Sequence, residues 1–217
     1  MKLLLVCGPF GSGTTAVAGL LARLGAIGFG PYYQPADERT PDSHELIAFR
    51  DLMLTLASEE TTSLKPGADV KAALEIFRDR IANQEFGAYD SSAGIPIFLK
   101  HPLAALIIPQ ICAVFETRLI YLVRPVRDIE SSRVRRKWGA QYGAKAAGII
   151  YSQMFGALID HSFPTTIVRY AELINSPLDH ARRLAGFAGL KSDADVMREA
   201  AAFVRIRQPP SPAADAG

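Results

Sequence analysis

Residues 3–7, LLLVC, are apolar at every position and give way at once to the glycine-rich turn GPFGSGTT. A short run with no polar alternation reads as a strand buried on both faces, and the Gly8-Pro9 pair stops it. Residues 14–24 then follow a helical period, with Val17, Leu20, Leu21 and Leu24 on one stripe and Gly25 placed to end it. The same short apolar pattern returns at 95–99, at 119–123 and, rich in β-branched residues, at 165–168. Helical stretches lie between and after these runs, at 103–115, 129–137, 144–159 and 178–188. Strands alternating with helices predict an α/β fold, a parallel sheet flanked by helices on both faces.

One stretch departs from that rhythm. Segments 43–56 and 68–84 both read as helix with no strand between them, and Pro66-Gly67 supplies a turn. Residues 41–86 are therefore expected to form a helical insertion on the ligand side of the sheet. The proline-, alanine- and serine-rich stretch 208–217 has little to bury and reads as a flexible tail. The expected organisation is a single α/β domain over 1–207, of a size that buries one large core.

Bulk properties narrow the function. A net charge of +2 implies no broad basic face, so no nucleic-acid partner is expected, and anion binding has to come from local clusters. One such cluster exists: Arg124, Arg127, Arg133, Arg135, Arg136 and Lys137. Cys7 and Cys112 sit in apolar runs and lack metal-ligand spacing, so both read as buried thiols, and no metal site is expected. The N-terminal apolar run is too short for a signal peptide, and no run approaches the roughly twenty apolar residues of a membrane span. A cytoplasmic protein without a membrane span is expected.

In an open parallel sheet, ligands bind outside the carboxyl ends of the strands, and each predicted strand discharges polar groups there. The first ends in the glycine loop, the second in Lys100-His101, the third in Arg124 and the fourth in Arg169-Tyr170. Gly8, Gly13 and Thr15 fit the spacing of a phosphate loop, although Thr14 stands where a nucleoside-triphosphate loop carries lysine. Gly11 and Gly13 permit close backbone approach, the helix that follows offers free N–H groups, and Ser12, Thr14 and Thr15 add hydroxyls. Arg124 at a strand end, with Ser132 in the first turns of the next helix, suits a second phosphate.

Four segments, in order, resemble the sulfotransferases that use 3′-phosphoadenosine 5′-phosphosulfate. GPFGSGTT is similar to their 5′-phosphosulfate loop, and LIYLVRPVRDIESS to their 3′-phosphate segment, with Arg124 and Ser132 at its R-x(7)-S positions. FLKHPLAALIIP is similar to their K-x-P or K-x-H segment, and IVRYAELINSPLDHARRLAGFAGL to their RYEDL stretch, which places Tyr170 near the adenine. The resemblance implies sulfuryl transfer to a hydroxyl or amine of a small-molecule or carbohydrate acceptor, with that nucleotide as co-substrate and no metal. It implies a donor site of Gly11, Ser12, Gly13, Thr14, Thr15, Arg124, Ser132 and Tyr170. Two departures stand out. The family usually has Lys or Arg before S-G-T-T, where this chain has Gly11; Lys100 is the candidate substitute. His101, the candidate base, is one residue out of register with K-x-H. The acceptor is expected against residues 41–86 with Tyr32 and Tyr33. Other readings are a P-loop kinase, disfavoured because no apolar strand ends in the Asp that would hold Mg²⁺, and a donor-binding homologue without activity.

Overall fold

Consecutive apolar positions do form the strands. The computed structural model describes residues 1–34 and 42–206, the side chains of 205 and 206 excepted. Its elements begin with β1 (Lys2–Cys7), α1 (Thr14–Arg23), α2 (Ile47–Leu56), β2 (Ala57–Ser58), β3 (Ser63–Leu64) and α3 (Val70–Ala82). Then come β4 (Ile97–Lys100), a 3-10 turn (Pro102–Ile107), α4 (Ile108–Val114), β5 (Glu116–Val123), α5 (Val126–Arg135) and α6 (Ala144–Asp160). The chain continues through β6 (Thr165–Arg169), α7 (Tyr170–Asn175), α8 (Pro177–Ala188) and α9 (Ala194–Ile206).

Four strands make one parallel sheet in the order β4-β1-β5-β6, with Leu5 paired to Leu99 on one side and to Leu119 on the other. Alternate side chains of β1 enter two separate cores. Leu3, Leu5 and Cys7 pack with α2, α3, α4 and α6, whereas Leu4 and Val6 pack with α1, α8 and α9. A central strand buried on both faces has to be apolar throughout, which explains LLLVC. After β1 the chain lays β4 on one side and then returns to lay β5 on the other. The strand order reverses there, so the crevice at the carboxyl ends of β1 and β5 is the ligand site that such sheets offer.

The helical insertion differs from expectation in two ways. A small antiparallel pair, Ala57 to Leu64 and Ser58 to Ser63, separates its two helices. Helix α2 also begins at Ile47 rather than at residue 43, because the preceding residues are extended. Leu46 bridges Tyr32, the Tyr33 N–H donates to the Glu45 carbonyl at 2.8 Å, and the Ser43 hydroxyl accepts the Glu45 N–H at 3.1 Å. The stretch expected as one helix over 103–115 is split into the 3-10 turn and α4, with Pro109 in the first turn of α4. Two helices were not anticipated, α7 and α9. Position 41, position 207 and the tail expected at 208–217 lie outside the described residues. Among the described residues no helix is long and apolar enough to cross a membrane.

Candidate functional site

The loop between β1 and α1 is shaped by its glycines. Gly11 (φ 73°) and Gly13 (φ 102°) are left-handed, and Gly13 caps α1 without any side-chain cap on the helix N-terminus. That leaves the end of α1 available to an anion. Ser12 is fully buried, its N–H donates to Pro9 at 3.0 Å, and its Oγ has no hydrogen-bond partner among the described residues. That Oγ lies 2.7 Å from where a Cβ on Gly8 would stand, so the inside of the turn admits no side chain there.

The residues expected to grip a second phosphate converge on the same loop. Arg124 follows β5, and its Nη1 donates to the Gly11 carbonyl at 2.9 Å. Its guanidinium lies 4.5 Å above the ring of Tyr170, and its Nε is buried without a partner among the described residues. Ser132 of α5, 2% exposed, puts its Oγ 3.8 Å from where a Cβ on Gly11 would stand. Tyr170 opens α7 and turns one edge of its ring to the loop, so that a Cβ on Gly13 would come within 2.4 Å of its Cδ2 and Cε2. The two grips expected at separate strand ends are therefore joined through Gly11. Behind them, Tyr151 of α6 pins the strand end: its hydroxyl accepts the Arg124 N–H at 2.8 Å and donates to the Arg124 carbonyl at 2.7 Å.

Lys100, last residue of β4, is 5% exposed and turns toward the loop. Its Nζ donates to Glu45 Oε2 at 3.0 Å and to Thr15 Oγ1 at 3.4 Å. Glu45 did not figure among the sequence candidates. It is 8% exposed, and its Oε1 lies 3.6 Å from His101 Nε2 and 3.8 Å from Arg50 Nε. Burial alone would raise its pKa, but Lys100, His101 and Arg50 together hold it below the usual carboxylate value. His101 is 1% exposed, and burial lowers its pKa to about 4 against the pull of Glu45. It is neutral near pH 7. Its Nδ1 accepts the Leu103 N–H at 3.2 Å, which leaves the ring proton on Nε2, facing Glu45.

An aromatic wall runs outward from this pair. Phe10 of the loop meets His101 and Tyr142 edge-on at 6.4 and 4.8 Å between ring centres, and Trp138 meets Tyr142 at 6.1 Å. The Tyr142 hydroxyl donates to Glu59, in the turn between β2 and β3, at 2.9 Å. Arg50 stacks over Tyr33 at 4.4 Å. The insertion thus faces the site through Arg50 and Glu59. Tyr32 instead turns inward, with its ring 5.3 Å from that of His44. An apolar groove of about 480 Å³ lies between α2 and α3, lined by Leu46, Ile47, Leu52 and Ile76 among others. The strands of the main sheet end in Cys7, Lys100, Val123 and Arg169, so none ends in an aspartate. No group of three or more His, Cys, Asp or Glu able to hold a metal occurs among the described residues.

No protein-family model matches the chain, and no curated protein matches it in sequence. Solved structures do. The sulfotransferase domain of the Synechococcus PCC 7002 olefin synthase superposes with a TM-score of 0.55 at 18% identity, over 90% of this chain and 76% of that one. A sulfotransferase domain from the curacin biosynthetic pathway gives 0.53 at 16%, over 90% and 76%. A sulfotransferase from Alicyclobacillus acidocaldarius gives 0.50 at 14%, over 94% and 91%. At these identities the likeness is one of architecture: the chain has a sulfotransferase-like fold, a parallel sheet flanked by helices.

Proposed function

We propose that this protein transfers a sulfuryl group from 3′-phosphoadenosine 5′-phosphosulfate to a hydroxyl or amine of a small-molecule or carbohydrate acceptor. The observation that carries the reading is the convergence at the β1/β5 crevice. A glycine loop, a helix N-terminus without a side-chain cap, and a buried Ser12 hydroxyl and Arg124 Nε with no partner among the described residues meet there, all suited to anionic oxygens. In this reading the loop N–H groups, Thr14 and Thr15 hold the 5′ end, Arg124 and Ser132 the 3′-phosphate, and Tyr170 the base.

The donor supplies an activated sulfuryl group: a new acceptor–sulfur bond forms, and the electron pair of the broken sulfur–oxygen bond remains on a 5′-phosphate oxygen. Lys100 gives that oxygen its positive charge, the function for which the loop itself has only Gly11. The acceptor's proton goes to Glu45, whose Oε2 lies 3.0 Å from the Lys100 ammonium. His101 is better suited to a supporting role than to proton abstraction. Its Nδ1 is occupied by a backbone N–H, and its Nε2–H points at Glu45.

Two measurements test the reading. Adenosine 3′,5′-bisphosphate should raise the melting temperature, whereas ATP with Mg²⁺ should not. Labelled sulfate should then pass from the donor to an acceptor in a panel of phenols, sugars, amines and lipids. Stabilisation by ATP–Mg²⁺ alone would replace this reading with a kinase. Stabilisation by the bisphosphate without turnover on any acceptor would leave a donor-binding protein.

A further inference from the structure

Lys100 is the last residue of a strand, and its ammonium stands between two claims. On one side is Glu45 Oε2 at 3.0 Å, a buried carboxylate brought in by the extended segment before α2. On the other is Thr15 Oγ1 at 3.4 Å, a hydroxyl of the phosphate loop and a weaker, longer contact. An ammonium has three donors on a flexible stem, so it can exchange one partner for another without movement of the backbone. We propose that Lys100 is a two-position ammonium which binding of a 5′-phosphate draws from Glu45 to the loop, so that nucleotide binding releases the Glu45 carboxylate to accept a proton. The inference rests on the donor reading above and adds a coupling to it: the base is armed only when the loop is filled.

The direction follows from the groups around Glu45. Lys100 from β4, His101 at its end and Arg50 from α2 all face the carboxylate. Its pKa is low despite burial because these three offset the desolvation, and Lys100 both attracts it and hydrogen-bonds to it. When Lys100 moves, burial is opposed only by Arg50 at 3.8 Å and by a His101 that is neutral near pH 7. The carboxylate then binds a proton more readily. Binding of the phosphate is therefore accompanied by uptake of a proton over the window between the two Glu45 pKa values.

The test is calorimetric and needs no turnover. Adenosine 3′,5′-bisphosphate, 5′-AMP and 3′-AMP are titrated into the protein at about pH 5.5 in two buffers of different ionisation enthalpy, which yields the protons taken up per site. Both ligands with a 5′-phosphate should show an excess of up to about one proton in the wild type over Glu45→Gln. That excess should vanish in Lys100→Met, where Glu45 has already lost its partner, and should be missing for 3′-AMP. Should Glu45→Gln not fold, the ¹³C shifts of the wild-type glutamate carboxyls, titrated with and without the bisphosphate, read the same change. Tight binding with equal uptake in wild type and Glu45→Gln, or an unmoved carboxyl titration, overturns the coupling and leaves the donor reading intact. Failure of all three nucleotides to bind overturns both.

Discussion

Gly13→Ala separates two effects that the loop combines. At φ 102° an L-residue is strained, which by itself costs about 1–2 kcal/mol. The new methyl would also stand 2.4 Å from Cδ2 and Cε2 of Tyr170, so that half-buried ring has to swing away. In leaving, it gives up its place under the Arg124 guanidinium, 4.5 Å away, a contact worth roughly 0.5–2 kcal/mol. The single change should destabilise the fold by about 2–4 kcal/mol, a Tm drop of roughly 5–15 °C for a chain of this length. In a Tyr170→Ala background only the backbone strain remains, and the same change should cost about 1–2 kcal/mol. Urea unfolding of the four proteins gives the coupling energy directly, expected at about 1–2 kcal/mol. An equal cost in both backgrounds would refute the claim that the ring occupies the space denied to a side chain, and a neutral Gly13→Ala would refute the strain as well.

Three further outcomes are expected. Arg124→Ala should weaken adenosine 3′,5′-bisphosphate roughly 10- to 100-fold by calorimetry, and Ser132→Ala less, with smaller losses for 5′-AMP; equal losses on both ligands would remove the 3′-phosphate assignment. Lys100→Ala should lower kcat about 10²- to 10³-fold, far more than it lowers bisphosphate affinity, and unchanged turnover would refute its role at the leaving oxygen. The third outcome concerns His101, whose folded pKa of about 4 lies below its ordinary 6.5. The unfolded chain therefore binds more protons between those values, and stability rises with pH across the window by about 3 kcal/mol. Denaturation midpoints at pH 4.5 and 7 should differ less for His101→Asn, which keeps an acceptor for the Leu103 N–H; an unchanged difference would show that the ring is not held neutral.

What could be seen in the sequence was whatever one element determines by itself. The runs at 3–7 and 119–123 read as strands because both faces are buried. Even so, β5 extends back to Glu116, paired with Lys2, a register that no local pattern announces. Strands β2 and β3 have two residues each and carry no periodicity to detect. Helix α9 did leave a signal, since Met197, Ala200, Ala201 and Val204 recur at helical spacing, but alanine is a faint marker of a buried face. In the candidate site, Arg124 and Ser132 could be noticed because one ends an apolar run and the other follows it by eight positions into the next helix. Glu45 could not. Its partner lies fifty-five positions away, and only the fold brings the carboxylate and Lys100 to 3.0 Å.

The placement of Lys100 also bears on how such a site can change over time. Its backbone is registered against Val6 in the sheet, so its anchor belongs to the scaffold and not to the turn between β1 and α1. In the proposed site, grip and charge thus sit on parts that can drift independently: the turn could alter its hold on a nucleotide without moving the cation. The reverse step is harder. Position 11, where the family resemblance implies a basic residue, has φ 73° with Trp138 and Ser132 at 3.7–3.8 Å from any Cβ added there. A lysine restored at that point would fit beside its neighbours but would carry the strain of a left-handed backbone, about 1–2 kcal/mol. A cation on the turn would therefore have to offset that strain, whereas Lys100 at the end of β4 has no left-handed backbone to maintain.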